Sequence, residues 1–260
     1  MHAPRKRFGQ HFLTDSEIID RLVSVIAPET GQHLVEIGPG QGALTYPVLK
    51  KIGVMDVVEL DRDLIPTLTE RSKEFGKLHI HQADALDFDF GDLVKNGPSL
   101  RVIGNLPYNI STPLIFHLLE FASVIKDMHF MLQKEVVERL AAKSGNSHYG
   151  RLSIMVQYHC EVSALFDVPP EAFYPPPKVD SCIVRLIPHK AIDYFAKDYT
   201  HFGNVVRQAF SQRRKTLRNC LKTLMSAEDW LTTEIDPQLR PEQLSVKQYV
   251  KISNTLLERK

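Results

Sequence analysis

Val35-Glu36-Ile37-Gly38-Pro39-Gly40-Gln41-Gly42 joins a short apolar run to an amphipathic one. Residues 34–38 (LVEIG) have the length and composition of a buried strand, and helical spacing begins at about residue 43, so the glycines fall in a strand-to-helix turn. Glycines there let the backbone turn sharply and let a ligand approach the main chain, while an acid about 20 residues further on can hold a ribose diol. Glu59, at the end of the next apolar run (54–60, VMDVVEL), meets that spacing. Asp84 adds a second carboxylate after a third strand, placed to accept from an adenine amino group; a helix cap or turn former is the plainer reading of that residue. The loop implies an adenosine-containing cofactor without choosing one, because Gly38, Gly40 and Ala43 also satisfy the looser pattern of NAD enzymes. A tight turn with no ligand is the plain alternative.

Outward from this loop, apolar runs and amphipathic stretches alternate. Strands are expected at 34–38, 54–60, 78–82, 100–104 and 127–133, with helices from about 43 and 62 and over 113–122 and 134–143. That alternation predicts an α/β fold, a parallel sheet with helices on both faces. Upstream, Thr14-Asp-Ser-Glu17 has capping-box spacing, and Ile18, Ile19, Leu22, Val23 and Ile26 follow at helical intervals up to Pro28. Downstream, 156–166 and 179–187 are strand candidates that close the sheet edge as an antiparallel pair, on either side of a proline-rich segment, 169–177. After Pro188 only short helices are expected (about 200–225, 226–233 and 246–258), so the predicted domains are 1–188 and 189–260.

The bulk numbers agree with a globular chain. Of 260 residues 43% are hydrophobic, 24% are charged and only 13 glycines and 16 prolines occur, which excludes collagen-like and low-complexity classes. No apolar run approaches the ~18 residues of a membrane span. The basic segment Met1–Leu13 lacks an apolar secretory core and is expected to be retained, in a soluble, cytoplasmic protein. Cys160, Cys182 and Cys220 are odd in number and widely spaced, so buried reduced thiols are expected rather than a disulfide framework. His79, His81, His117, His129 and His159 show no metal-ligand spacing, and no metal is expected.

Formal net charge is +1, yet between Tyr199 and Ala227 no acid occurs, and Arg207, Arg213, Arg214, Lys215, Arg218 and Lys222 do. Together with Arg5, Lys6 and Arg7, this asymmetry points to a nucleic-acid contact surface. A solvated helix face is the competing reading.

Asn105-Leu106-Pro107-Tyr108 follows the fourth strand. It resembles the (Asp/Asn)-Pro-Pro-Tyr motif of S-adenosylmethionine enzymes that methylate planar amino groups, and so selects among adenosine cofactors. An adenine N6 amine is a poor nucleophile because its lone pair is delocalised. The Asn105 side-chain oxygen and the Leu106 or Pro107 carbonyl can accept its hydrogens and stabilise the developing positive charge. Tyr108 offers a stacking face for an extruded base. Read alone, the tetrapeptide is a turn capped by Thr112-Pro113.

Nearly end to end, the chain resembles the ribosomal RNA adenine dimethyltransferases, in particular their small-subunit branch associated with kasugamycin sensitivity. The resemblance is carried by Arg7-Phe-Gly-Gln-His-Phe-Leu13, Val35–Gly42, Gly104-Asn-Leu-Pro-Tyr-Asn-Ile-Ser-Thr-Pro113, Phe130-Met-Leu-Gln-Lys-Glu-Val-Val137, Pro175-Pro-Pro-Lys-Val-Asp-Ser181 and Gln212-Arg-Arg-Lys-Thr-Leu-Arg-Asn219. It implies a Rossmann-like methyltransferase domain with a small helical C-terminal domain. It also implies transfer of two methyl groups from S-adenosylmethionine to N6 of each of two adjacent adenosines, in a hairpin near the 3' end of 16S rRNA. The implied partner is a small (30S) subunit or its late precursor, with the enzyme a monomer. Carried over by position, Gly38 and Gly40 lie against the cofactor, Glu59 holds its ribose, Asp84 meets its adenine and Asn105 spans cofactor and target. His11 and Leu13 fall in a segment that covers the cofactor, with His11 at a position where asparagine is common. Phe173 matches an aromatic that sandwiches the base opposite Tyr108; by itself it reads equally as a core residue. Arg213, Arg214, Lys215 and Arg218 fall in the RNA-contacting segment.

Three other functions compete. A large-subunit dimethyltransferase of the antibiotic-resistance type shares the motifs but not the near full-length match. A non-catalytic assembly factor would not require both Asn105 and Glu59. An NAD-dependent oxidoreductase is disfavoured because no catalytic Tyr/Lys or His/Asp set follows the loop.

Overall fold

In a computed structural model of the chain, the described residues are 11–94, 99–212 and 214–259. A two-residue strand, β1 (Phe12–Leu13), precedes α1 (Ser16–Ile26), β2 (His33–Ile37), α2 (Thr45–Ile52), β3 (Val54–Glu59), α3 (Ile65–Ser72) and β4 (Lys77–Gln82). Then follow β5 (Leu100–Asn105), α4 (Ser111–Glu120), β6 (Ile125–Gln133), α5 (Lys134–Ala141), α6 (Arg151–Gln157), β7 (Cys160–Val168), β8 (Phe173–Tyr174) and β9 (Ser181–Pro188). Seven strands form one sheet in the order β4-β3-β2-β5-β6-β9-β7. The pairs among β2 to β6 are parallel, and β9 runs antiparallel to β6. This is a Rossmann-like α/β fold. Its central strands are covered on both faces, so Leu34, Val35, Val57, Val102 and Ile103 are all buried, and a continuous apolar run makes such strands readable in the sequence.

The chain steps from β2 outward to β3 and β4 on one side, then returns to β5 and β6 on the other. The order therefore reverses between β2 and β5, and the crevice beyond the carboxyl ends of those two strands is where a ligand fits in such a sheet. Gly104 belongs to this junction: a Cβ there would lie 2.6 Å from the Ile37 carbonyl oxygen.

The start of α1 differs from the expected capping box. Asp15, not Thr14, caps the helix, accepting from the N–H groups of Glu17 and Ile18. The backbone N–H and hydroxyl of Thr14 both donate to the Ala172 carbonyl. That contact continues the pairing of β1 with β8, in which Phe12 lies opposite Tyr174 and Leu13 opposite Phe173.

The chain divides into two compact units, residues 1–137 with 162–188, and 138–161 with 189–260. A cut at Pro188 alone therefore misassigns 138–161. The expected strand over 156–166 is also corrected: residues 151–157 are the helix α6, and strand β7 begins at Cys160. Leu152, Ile154, Met155 and Val156 are buried on α6. In this second unit α7 (Tyr199–Ala209) approaches α6 closely enough that a Cβ on Gly203 would lie 3.4 Å from Met155 Cε. Tyr158 packs against Tyr199 and Phe202. The helices α8 (Leu217–Cys220), α9 (Ala227–Thr233) and α10 (Val246–Leu257) complete the unit, the last two opened by serine capping boxes at Ser226 and Ser245. Cys160, Cys182 and Cys220 are buried and unpaired. Among the described residues no helix is long and apolar enough to cross a membrane.

Candidate active site

The crevice at the β2/β5 reversal is a cleft of ≈ 370 Å³. Its floor is the glycine loop. Gly38 and Gly40 have φ of 68° and 59°, in the left-handed region that side chains disfavour, and the Gly38 N–H donates to the Val58 carbonyl, which binds the loop to β3. Gly40 is also covered: a Cβ there would come within 3.1 Å of the Phe12 ring.

Glu59 ends β3 and is buried. Its Oε2 accepts from Gly40 N–H at 3.2 Å and its Oε1 from Asp61 N–H at 2.7 Å, so the carboxylate is held in place by backbone donors. Burial raises its pKa, and these donors oppose the shift. Asp84 lines the cleft and also accepts from Leu86 N–H at 2.9 Å, so the turn-former reading holds alongside its place in the cleft.

Asn105 ends β5. Its Nδ2 donates to the His11 carbonyl at 2.9 Å, which leaves Oδ1 as the side chain's acceptor at the cleft. Leu106, Pro107 and Tyr108 follow along the same wall, with Leu106 N–H bonded to the Met131 carbonyl. The Tyr108 hydroxyl is 2.7 Å from Ser181 Oγ, and burial pushes its pKa up. The His11 ring stacks against Tyr108 at 5.8 Å between centroids, and its Nδ1 is 2.7 Å from the Pro175 carbonyl oxygen. His11 thus engages through side chain and backbone together. Leu13 lines the cleft from β1.

Phe173 requires a correction. It is 3% exposed, packs in the hydrophobic core with Leu13, Val168 and Ala172, and does not line the cleft. The pairing of β8 with β1 sets it opposite Leu13, in keeping with its reading as a core residue. The ring against Tyr108 is that of His11.

Several lining residues escaped the sequence reading. Leu60 follows Glu59 and is 48% exposed at the cleft, an apolar side chain suited to the face of a planar ring. Its position directly after the strand-end acid was a usable signal. Phe12, Gln41 and Asp61 also line the cleft, and so does Glu36, which the motif contained without a role. Among the described residues no cluster of three His, Cys, Asp or Glu is arranged to hold a metal ion.

In the second unit Arg207, Arg214, Lys215, Arg218 and Lys222 are exposed, and none forms a salt bridge among the described residues. Arg214 and Lys215 lie in the turn before α8 and Arg218 within that four-residue helix, so they do not form one long helix face. Arg213 lies outside the described residues, as do Arg5, Lys6 and Arg7.

Residues 1–258 match the family model described as "Ribosomal RNA adenine dimethylase". The chain is 58% identical over 261 residues to "Ribosomal RNA small subunit methyltransferase A" of Chromohalobacter salexigens, covering 99% of this chain and 93% of that protein. It is 59% identical over 257 residues to the protein of the same name from Pseudomonas aeruginosa, covering 99% and 96%. Among solved structures, a dimethyladenosine transferase from Plasmodium falciparum superposes with a TM-score of 0.80 at 26% identity, over 93% of this chain and 96% of that one.

Proposed function

The chain belongs to the ribosomal RNA adenine dimethylase family, and from that premise we propose that it transfers methyl groups from S-adenosylmethionine to adenine N6 in small-subunit ribosomal RNA, two on each of two adjacent adenosines. The observation that carries this reading is Asn105: its amide nitrogen is engaged by the His11 carbonyl, so its oxygen is the acceptor at the end of β5.

The cleft fits an adenosine-bearing cofactor. Glu59 is held by two backbone donors where a ribose diol needs an acceptor, Leu60 and Asp84 suit the face and edge of an adenine, and the Gly38–Gly40 backbone admits close approach. The cofactor supplies an electrophilic methyl on a positively charged sulfur. The protein's part is positioning: Asn105 Oδ1 and the neighbouring carbonyls accept hydrogens of the target amine and favour its pyramidal form, in which the lone pair leaves the ring. Holding amine and methyl in line is worth roughly 7 to 11 kcal/mol in favourable cases. Tyr108, its hydroxyl anchored by Ser181, supports the base.

The small-subunit target is favoured over the large-subunit alternative by the names of the two bacterial relatives. The exposed cations Arg214, Lys215 and Arg218 supply phosphate contacts. The test is methyl transfer from labelled S-adenosylmethionine to undermethylated small and large subunits in parallel. Label on small-subunit RNA alone supports the reading, and label on large-subunit RNA alone overturns the target assignment.

A further inference from the structure

The pairing of β1 with β8 stops at Phe12 and Tyr174, and the next residue of the second segment, Pro175, has no N–H with which to extend it. A side chain takes over. His11 Nδ1 is 2.7 Å from the Pro175 carbonyl oxygen, and since a carbonyl only accepts, Nδ1 carries the proton and donates. The ring also lies against Tyr108, 5.8 Å between centroids and 25° between planes. One short stretch of chain therefore holds both partners of that stack. Ala172 takes the Thr14 N–H and hydroxyl, Pro175 takes the His11 imidazole, and Ser181 Oγ meets the Tyr108 hydroxyl at 2.7 Å.

The tie at His11 sits where a backbone carbonyl is in use. The His11 carbonyl accepts from Asn105 Nδ2 at 2.9 Å. The Asn105 amide can turn by 180° about its last torsion, which exchanges Nδ2 and Oδ1 with little change of shape. In the turned form Oδ1 faces the His11 carbonyl, two acceptors with no hydrogen between them, and the NH2 group takes the place of Oδ1. That group meets an adenine amine donor to donor, and the acceptor that the developing charge needs is lost. The place of the His11 carbonyl thus decides which Asn105 atom the target meets.

We propose that His11 is a positioning residue for methyl transfer: the Nδ1–H bond to Pro175 holds its own carbonyl against Asn105 Nδ2, and through that contact keeps Asn105 Oδ1 toward the target amine. The inference rests on the function proposed above, because it needs an amine as the acceptor of the methyl group. The donor on the side chain is the working part, more than the ring's area against Tyr108. His11→Asn retains that donor, since the amide nitrogen of asparagine stands three bonds from Cα, as Nδ1 does. His11→Phe keeps a ring and has no donor.

The experiment is single-turnover methyl transfer to undermethylated small subunits at saturating S-adenosylmethionine, with each His11 variant made alone and together with Asn105→Ala. His11→Ala and His11→Phe are expected to lower the rate about tenfold, the equivalent of one hydrogen bond, and His11→Asn to recover most of that loss. Added to Asn105→Ala, none of the three lowers the rate further, because the amide they act through is already gone. Equal losses with and without Asn105 overturn the proposal, and so does a His11→Asn rate no better than that of His11→Ala. Calorimetry with S-adenosylmethionine separates a cover over the cofactor: a loss confined to its affinity, with the saturated rate intact, also overturns the proposal. Should His11→Ala fail to fold, His11→Phe keeps the packing against Tyr108, and an unaltered rate in that variant counts against the proposal by itself. If the unaltered protein methylates no adenosine, the function proposed above falls, and the inference with it.

Discussion

Phe173 and Tyr108 show how much a single residue's role depends on its surroundings. Both are aromatics in motifs that suggest base stacking, yet Tyr108 lines the cleft and Phe173 lies in the core. Phe173→Ala therefore acts chiefly on stability, with an expected loss of about 3 to 5 kcal/mol in urea unfolding. A fully stable variant defective only in RNA methylation would contradict this placement. His129 makes a second residue-scale case. It is 2% exposed, neither ring nitrogen has a hydrogen-bond partner, and burial lowers its pKa from 6.5 to about 4. The unfolded chain binds this proton at a higher pH than the folded one. Stability linked to His129 is thus fully present above pH 6.5 and is lost as pH falls toward 4. Thermal melts of the protein and of His129→Gln should show a shallower decline between pH 6.5 and 5 in the variant; equal slopes would contradict the assignment. The places of Glu59 and Asn105 at strand ends beside the cleft were legible because each follows a continuous apolar run. Phe173 was not legible, since its direction follows from pairing with Leu13, far away in the chain.

Among the elements, the parallel strands were readable because burial on both faces gives them continuous apolar runs. Short elements set by distant partners were not. β1 has only two residues, and nothing in Phe12-Leu13 announces a partner at 173–174. The apolar run over 151–157 fits helix and strand alike until the helix beside it is known. Cap choice fell one residue away from the capping-box spacing, because Thr14 is taken by the Ala172 carbonyl and Asp15 takes over. Asp15→Ala should then cost about 1 kcal/mol of stability. Thr14→Ala should not affect the helix cap. Parallel urea titrations test both, and a loss in Thr14→Ala with none in Asp15→Ala would restore Thr14 as the cap.

For the whole molecule, a formal charge of +1 conceals an uneven distribution. Glu36, Glu59, Asp61 and Asp84 line the cleft, while Arg207, Arg214, Lys215, Arg218 and Lys222 stand exposed in the other unit. Arg214→Ala with Arg218→Ala should flatten the dependence of log affinity for ribosomal RNA on log salt by about 1 to 2 units. An unchanged slope in a folded protein would make these cations part of a solvated surface only. The central claim is that the cleft methylates adenine N6, with Asn105 acting where charge develops. Its most direct test is nucleoside mass spectrometry of small-subunit RNA after reaction with S-adenosylmethionine, comparing the protein with Asn105→Ala. The account predicts N6,N6-dimethyladenosine from the protein, with the rate reduced roughly a hundredfold to a thousandfold in the variant and cofactor affinity nearly retained. Absence of methylated adenosine from the unaltered protein, or an unchanged rate in Asn105→Ala, would contradict it.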